Sequence, residues 1–73
     1  MIEVRLFATL RKGRGKIFQL EAAAFSSGTQ ILEYFNIPLD EVAIFLINGF
    51  HAKPESIVKD GDIVAIFPPV GGG

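Results

Sequence analysis

The 73-residue sequence contains no cysteine. No disulfide can staple the fold, and no thiolate is present to act as nucleophile or metal ligand. Histidine is almost as scarce. His51 stands alone, so a metal site lacks ligands and base chemistry lacks an oriented partner; a partly exposed, merely polar role is its expected one. An excess of positive charge is missing as well. Seven Lys and Arg face eight Asp and Glu, for a net charge of −1, which argues against nucleic acid as a partner. Unbroken apolar runs such as Ala43 to Ile47 fall far short of the roughly 18 residues that a membrane span needs. The opening "MIEVRLFATLRK" has no charged n-region leading into a long apolar stretch, so it does not read as a signal peptide. No membrane association and a cytoplasmic location are the expectations.

What is abundant is apolar. Hydrophobic residues make up 49%, with 8 glycines besides. A domain this small buries only about 60–65% of its unfolded surface, so part of this content must stay on the outside. An exposed apolar patch of that kind marks a protein partner. The chain is short enough to be one domain.

Several segments carry a period. "IEVRLFA" alternates, with Ile2, Val4, Leu6 and Ala8 on one side and Glu3, Arg5 and Phe7 on the other, which reads as a strand with one buried face. "RKGRGK" reads as a loop, and Lys16 to Leu20 as a second strand antiparallel to the first. In "SSGTQILEYFNIP", Ser27 and Gln30 have capping-box spacing, and Ile31, Leu32 and Phe35 share a stripe. Pro38 blocks continuation. The resulting helix is too short to persist unless it packs on a sheet. Val42 to Ile47 is strand-like, and Asn48-Gly49 is the preferred pair of a type I′ hairpin, returning through Phe50 to Lys53. Asp62 to Phe67 is apolar on both faces, as in a central strand covered on both sides or flanked by a partner. Pro68-Pro69 ends it, because proline offers no N–H to a ladder. The division is a folded body at residues 1–67 and a tail at 68–73.

Candidate functional groups in the body are few. Asp60 and Asp62 flank Gly61 as a turn requires, and no cleft for a carboxylate pair is evident. The basic run Arg11, Lys12, Arg14 and Lys16 lacks phosphate-loop spacing; it is a solvated loop tip or a docking spot for an acidic partner. Phe7 falls on the otherwise polar face of the first strand, and Phe67 ends the last one beside the tail. Both can be core; as a pair at the tail's base, with Pro68, they would anchor a partner.

The tail "PPVGGG" is the most distinctive feature. Pro68-Pro69 fixes two φ angles and directs the chain away from the sheet. The six residues from Pro68 to Gly73 reach about 20 Å when extended. Gly71, Gly72 and Gly73 carry no side chains, so the arm is thin enough to enter a tunnel. It either frays without consequence or delivers the Gly73 carboxylate into another protein's active site. A carboxylate is a poor electrophile and must be activated, most simply by adenylyl transfer from ATP; a sulfide donor then displaces the adenylate. No group in this chain performs that chemistry, so the reading is a carrier with no bound cofactor, served by a separate enzyme that uses ATP.

"VRLFATLR", "INGFHA" and above all "VKDGDIVAIFPPVGGG" resemble the MoaD/ThiS family of ubiquitin-like sulfur carriers over nearly the whole chain. The resemblance implies an α+β β-grasp fold, a mixed sheet with one short helix on one face, in which the first and last strands run parallel at the centre. It implies that Gly73, paired with Gly72, is adenylated by an E1-like adenylating enzyme and converted to a thiocarboxylate. It further implies that the tail enters a large molybdopterin synthase subunit, where sulfur passes to a cyclic pterin monophosphate in molybdenum cofactor synthesis. Pro68-Pro69-Val70 favours that branch over carriers that serve thiazole synthase. A protein modifier joined through Gly73 to lysines, and an interaction module with an idle tail, are the other readings.

Overall fold

Strict alternation places Ile2, Val4 and Leu6 of strand β1 (Ile2–Leu6) on one face, and all three are fully buried. A computed structural model describes residues 1–69. Four further strands complete a single sheet: β2 (Ile17–Leu20), β3 (Ile44–Ile47), β4 (Phe50–His51) and β5 (Ile63–Phe67). Their order is β2-β1-β5-β3-β4. β5 is the middle strand, parallel to β1 with Val4 opposite Val64, and antiparallel to β3 with Phe45 opposite Ile66. The parallel central pair expected from the sequence is present. One helix, α1 (Gly28–Tyr34), covers one face of the sheet. Its Ile31 and Leu32 pack into a core with Ile2, Val4, Leu6, Phe45, Val64 and Ile66. This five-stranded mixed sheet crossed by one helix is the β-grasp.

The strand period breaks at Ala8, which is exposed rather than inward. Its φ of 52° lies in the left-handed region, which costs a residue with a Cβ about 1–2 kcal/mol. The chain turns there into a 3-10 turn (Ala8–Arg11) that buries Leu10 in place of Ala8. The loop "RKGRGK" that follows is anchored. Arg14 donates from Nε to the Phe35 carbonyl (2.9 Å), from Nη2 to that of Asn36 (3.2 Å) and from Nη1 to that of Leu10 (3.2 Å). The first two of these bonds satisfy carbonyls that the end of α1 leaves without intrahelical partners.

α1 begins as its spacing predicts. Ser27 Oγ accepts from the Gln30 amide at 3.4 Å. The return bond is displaced by one residue, with Gln30 Oε1 accepting from the Ser26 amide at 2.7 Å. The helix ends before Pro38 acts. Asn36 adopts φ 57°, its amide donates to Glu33 O (3.1 Å), and the Ile37 amide donates to Leu32 O (2.9 Å). That pair of bonds is a Schellman closure, sealed by buried Ile37.

Gly28 fixes the approach of α1 to the sheet. A Cβ at this position would stand 2.5 Å from the Pro54 carbonyl oxygen and run into the Phe45 ring. Neither obstacle is the tip of a flexible chain. Overpacking of this kind costs about 1–3 kcal/mol, and the better helix propensity of alanine returns about 1 kcal/mol. Gly28→Ala is therefore expected to lower stability by up to about 2 kcal/mol, seen in thermal melts as about 4–8 °C per kcal/mol.

The β3–β4 hairpin has the turn its sequence demands. Asn48 (φ 53°) and Gly49 (φ 84°) both take positive angles, the type I′ requirement. Asn48 also braces β3 against β5. Its Oδ1 accepts from the Ile63 amide (2.9 Å), and its Nδ2 donates to Asp62 Oδ1 (2.9 Å). The return strand is shorter than expected and stops at His51.

Candidate functional site

Whatever α1 covers on one side of the sheet, the alternate residues leave uncovered on the other. The open face carries Glu3 and Arg5 from β1, Ile17 and Gln19 from β2, Ile44 and Leu46 from β3, and Ile63, Ala65 and Phe67 from β5. Register arranges them in rows: Ile44 opposite Phe67, Leu46 opposite Ala65, Ala65 beside Arg5, and Ile63 beside Glu3. The β3–β5 half is thus apolar, with Ile44 39% and Ile63 36% exposed. The β1–β2 half is polar. Arg5 Nε donates to Glu3 Oε2 at 2.5 Å, and Gln19 Nε2 to Glu3 Oε1 at 2.9 Å. The Arg5 bond, followed by that from Gln19, holds the Glu3 carboxyl below the usual carboxylate range. The surplus apolar content of the composition lies partly on this exposed patch.

Phe7 and Phe67 meet at one end of it. Their rings stack with centroids 4.2 Å apart and planes 8° from parallel. Parallel pairing of β1 and β5 forces this, because both strands finish at the same end of the sheet. The Phe7 amide still donates to Ile66 O at 3.2 Å. On the neighbouring strand, the Ala43 amide donates to Phe67 O at 2.8 Å. β5 is therefore held on both sides to its last residue. Half-buried Pro68 and exposed Pro69 then carry the chain off the sheet. Of the three residues the sequence suggests as a partner anchor, Phe7 and Phe67 are in contact and Pro68 follows directly in the chain. Gly71, Gly72 and Gly73 lie outside the described residues.

Sequence reasoning missed one member of this place. Arg11 lays its guanidinium 5.1 Å from the Phe7 ring centroid, on a stack that continues to Phe67. The only signal was its spacing four residues after Phe7, which the unforeseen 3-10 turn converts into contact. The other candidates stay apart. His51 is exposed on β4 opposite Leu46. Asp62 accepts from the Lys59 amide (2.8 Å) and from Asn48, while Asp60 pairs with the N-terminal ammonium of Met1. Among the described residues no group of three or more His, Asp and Glu side chains gathers to hold a metal, and no helix is long and apolar enough to cross a membrane.

Chemically, this arrangement offers an exposed apolar face whose aromatic end adjoins Pro68. The described residues bring no nucleophile, base and oxyanion donor together there.

Comparison with known proteins agrees with the class that this geometry defines, a ubiquitin-like β-grasp module. The family model described as the ThiS family matches residues 4–73. The chain belongs to that family of ubiquitin-like sulfur carriers. No curated protein matches. Among solved structures, SAMP1 from Haloferax volcanii superposes with a TM-score of 0.75 at 22% identity, covering 99% of this chain and 98% of that one. Subunit 1 in the complex of subunits 1 and 2 of the molybdopterin-converting factor from Helicobacter pylori has a TM-score of 0.65 at 20% identity, covering 99% and 97%. A candidate subunit 1 of the same factor from Pyrococcus furiosus has a TM-score of 0.70 at 23% identity, covering 94% and 97%. At these identities the likeness is one of fold.

Proposed function

We propose that this protein carries sulfur as a thiocarboxylate on Gly73 and delivers it in molybdopterin synthesis, as the small subunit of molybdopterin synthase. The observation that carries the reading is the junction of docking face and tail: the Phe7–Phe67 stack closes the apolar face at the residue before Pro68-Pro69. A partner that seats on the face receives the tail in a fixed direction. The reach of about 20 Å from Pro68 to Gly73 suits a buried active site, and side-chain-free residues at 71–73 suit a narrow entrance. Pro68-Pro69-Val70 supports the molybdopterin branch, as does the fold shared with a converting-factor subunit that is found in complex with its subunit 2.

The chemistry follows in two stages. An E1-like enzyme transfers an adenylyl group from ATP to the Gly73 carboxylate, releasing pyrophosphate. A sulfide donor then attacks the acyl carbon and expels AMP, leaving the thiocarboxylate. The body of the protein contributes orientation to both stages and no catalytic group.

The test is reconstitution. The carrier, the E1-like enzyme of the same genome, ATP and a sulfide source are combined with either the large synthase subunit or thiazole synthase. Conversion of cyclic pterin monophosphate to a dithiolene product with the first, and no thiazole product with the second, is the expected outcome. The reverse result transfers the protein to thiamine synthesis. Stable conjugates to lysines in place of both products identify a protein modifier, the activity named for the small archaeal modifier protein whose fold it shares.

A further inference from the structure

The Asn48-Gly49 pair that turns the β3–β4 hairpin also carries a reaction of its own. The Gly49 amide nitrogen and the Asn48 side-chain carbon can close a five-membered ring, and a glycine in the second position has no side chain to crowd the approach. Both residues are exposed. A Cβ added to Gly49 would meet nothing within 4 Å. Among the described residues the Gly49 amide meets no acceptor, so the attacking nitrogen is free. The target is held. The Asn48 amide donates to the Ile63 carbonyl (2.8 Å), its Oδ1 accepts from the Ile63 amide (2.9 Å), and its Nδ2 donates to Asp62 Oδ1 (2.9 Å). Asp62 is fixed in turn, its Oδ2 accepting from the Lys59 amide at 2.8 Å.

We propose that Asn48-Gly49 is a spontaneous deamidation site that Asp62 and Ile63 hold closed. The Gly49 nitrogen gives its proton to hydroxide and bonds to Cγ of Asn48. The Cγ–Nδ2 bond breaks, and Nδ2 leaves as ammonia with a proton from water. Water then opens the succinimide at either carbonyl, giving aspartate or isoaspartate at position 48. Water is the only co-reactant, and nothing is oxidised or reduced. Ring closure makes Cγ tetrahedral, so the flat amide must leave its two-point clamp first. Afterwards the clamp cannot reform. The donor to Asp62 is gone, and a second carboxylate stands against the first, an unfavourable like-charge pair. Isoaspartate also lengthens the backbone of a turn whose geometry is set by its two residues. The step is irreversible, so it marks molecules in which this end of the β3–β5 pair has opened. It is independent of the sulfur-carrier reading.

The full-length protein is incubated at mildly alkaline pH, folded and in urea, and the peptide containing Asn48 is scored by mass spectrometry for amide-to-acid exchange and isoaspartate. Folded wild type is expected to convert at least about tenfold more slowly than the unfolded chain, because two side-chain hydrogen bonds must open first. Asp62→Ala, which removes the acceptor of Nδ2, is expected to convert about three- to tenfold faster than folded wild type. Asp62→Asn, which keeps an oxygen acceptor, stays near the wild-type rate. Gly28→Ala, which weakens the fold without touching the clamp, stays near it too and separates the clamp from overall stability. Asn48→Asp, imitating the product, is expected to melt several degrees below wild type, and adding Asp62→Asn to it recovers most of the loss by restoring a donor. The proposal is overturned if folded and unfolded chains convert alike, if the unfolded chain does not convert, or if Gly28→Ala accelerates conversion as much as Asp62→Ala does. The sulfur-carrier reading survives each of these results.

Discussion

Deleting Gly72 and Gly73 is expected to abolish thiocarboxylate formation and to leave the melting temperature where it was. Among the described residues, the buried core lies between Ile2 and Ile66, and the last strand is tied on both sides up to Phe67. The deletion removes none of those core or strand residues, so thermal denaturation is expected to be unchanged. Function loses its only reagent. The shortened arm ends on Gly71 and places its carboxylate about 7 Å short of the original point. Misplacement by even 1 Å costs about a hundredfold in a positioned reaction, so the expected result is no detectable product. Incubation with the E1-like enzyme, ATP and sulfide, followed by mass spectrometry, reads the chemistry; a thermal melt on the same sample reads the fold. Normal sulfur loading of the truncated chain would leave the tail idle.

Neighbouring residues on β5 separate stability from docking with comparable force. Ile66 points to the helix and is fully buried; Phe67 points to the open face and is half-buried against Phe7. Truncating a buried isoleucine to alanine costs about 2–5 kcal/mol. A 73-residue domain has about 4–11 kcal/mol of stability in total, so Ile66→Ala is expected to remove a large share of it and to lower the denaturation midpoint steeply. Phe67→Ala loses a ring stack worth about 0.5–1.5 kcal/mol beyond its area and stays folded. Its loss appears in the complex instead. A central aromatic anchor contributes about 2 kcal/mol or more to binding, close to a thirtyfold weaker association with the large synthase subunit. Urea denaturation and titration of both variants measure the two effects. Equal damage to stability by both, with no separate loss of binding from Phe67→Ala, would remove the open face from the account.

The parts of this fold that were legible in the sequence are those governed by near neighbours. Alternation in β1 identified Ile2, Val4 and Leu6. The spacing of Ser27 and Gln30 located the start of α1, and Asn48-Gly49 announced the hairpin. Each depends on residues within four positions of one another. The features that escaped depend on distance along the chain. Alternation carried through Ala8 points it inward, whereas packing of Leu10 turns the backbone there. Pro38 predicts the end of α1, whereas Asn36 closes it with help from Arg14, more than twenty residues earlier. The basic loop read as four comparable charges, and tertiary contacts divide it into two engaged arginines and two exposed lysines.

The candidate site shows the same division. Phe7 stood out as the one aromatic on a polar face, and Phe67 as the last residue before the prolines. Both were visible because alternation assigns faces. Their stacking required parallel pairing of β1 and β5, which topology supplies. The contribution of Arg11 required the 3-10 turn. The tail was conspicuous from composition alone, since three side-chain-free residues after two prolines offer nothing to a core.

The central claim is that the end group at Gly73 carries the sulfur. The most direct measurement is the intact mass of the protein purified from its own host with the activating enzyme present. The account predicts a population in which one oxygen of the terminal carboxylate is replaced by sulfur, and which is lost on reaction with a thiol-selective alkylating reagent. A single unmodified carboxylate species under those conditions would contradict it.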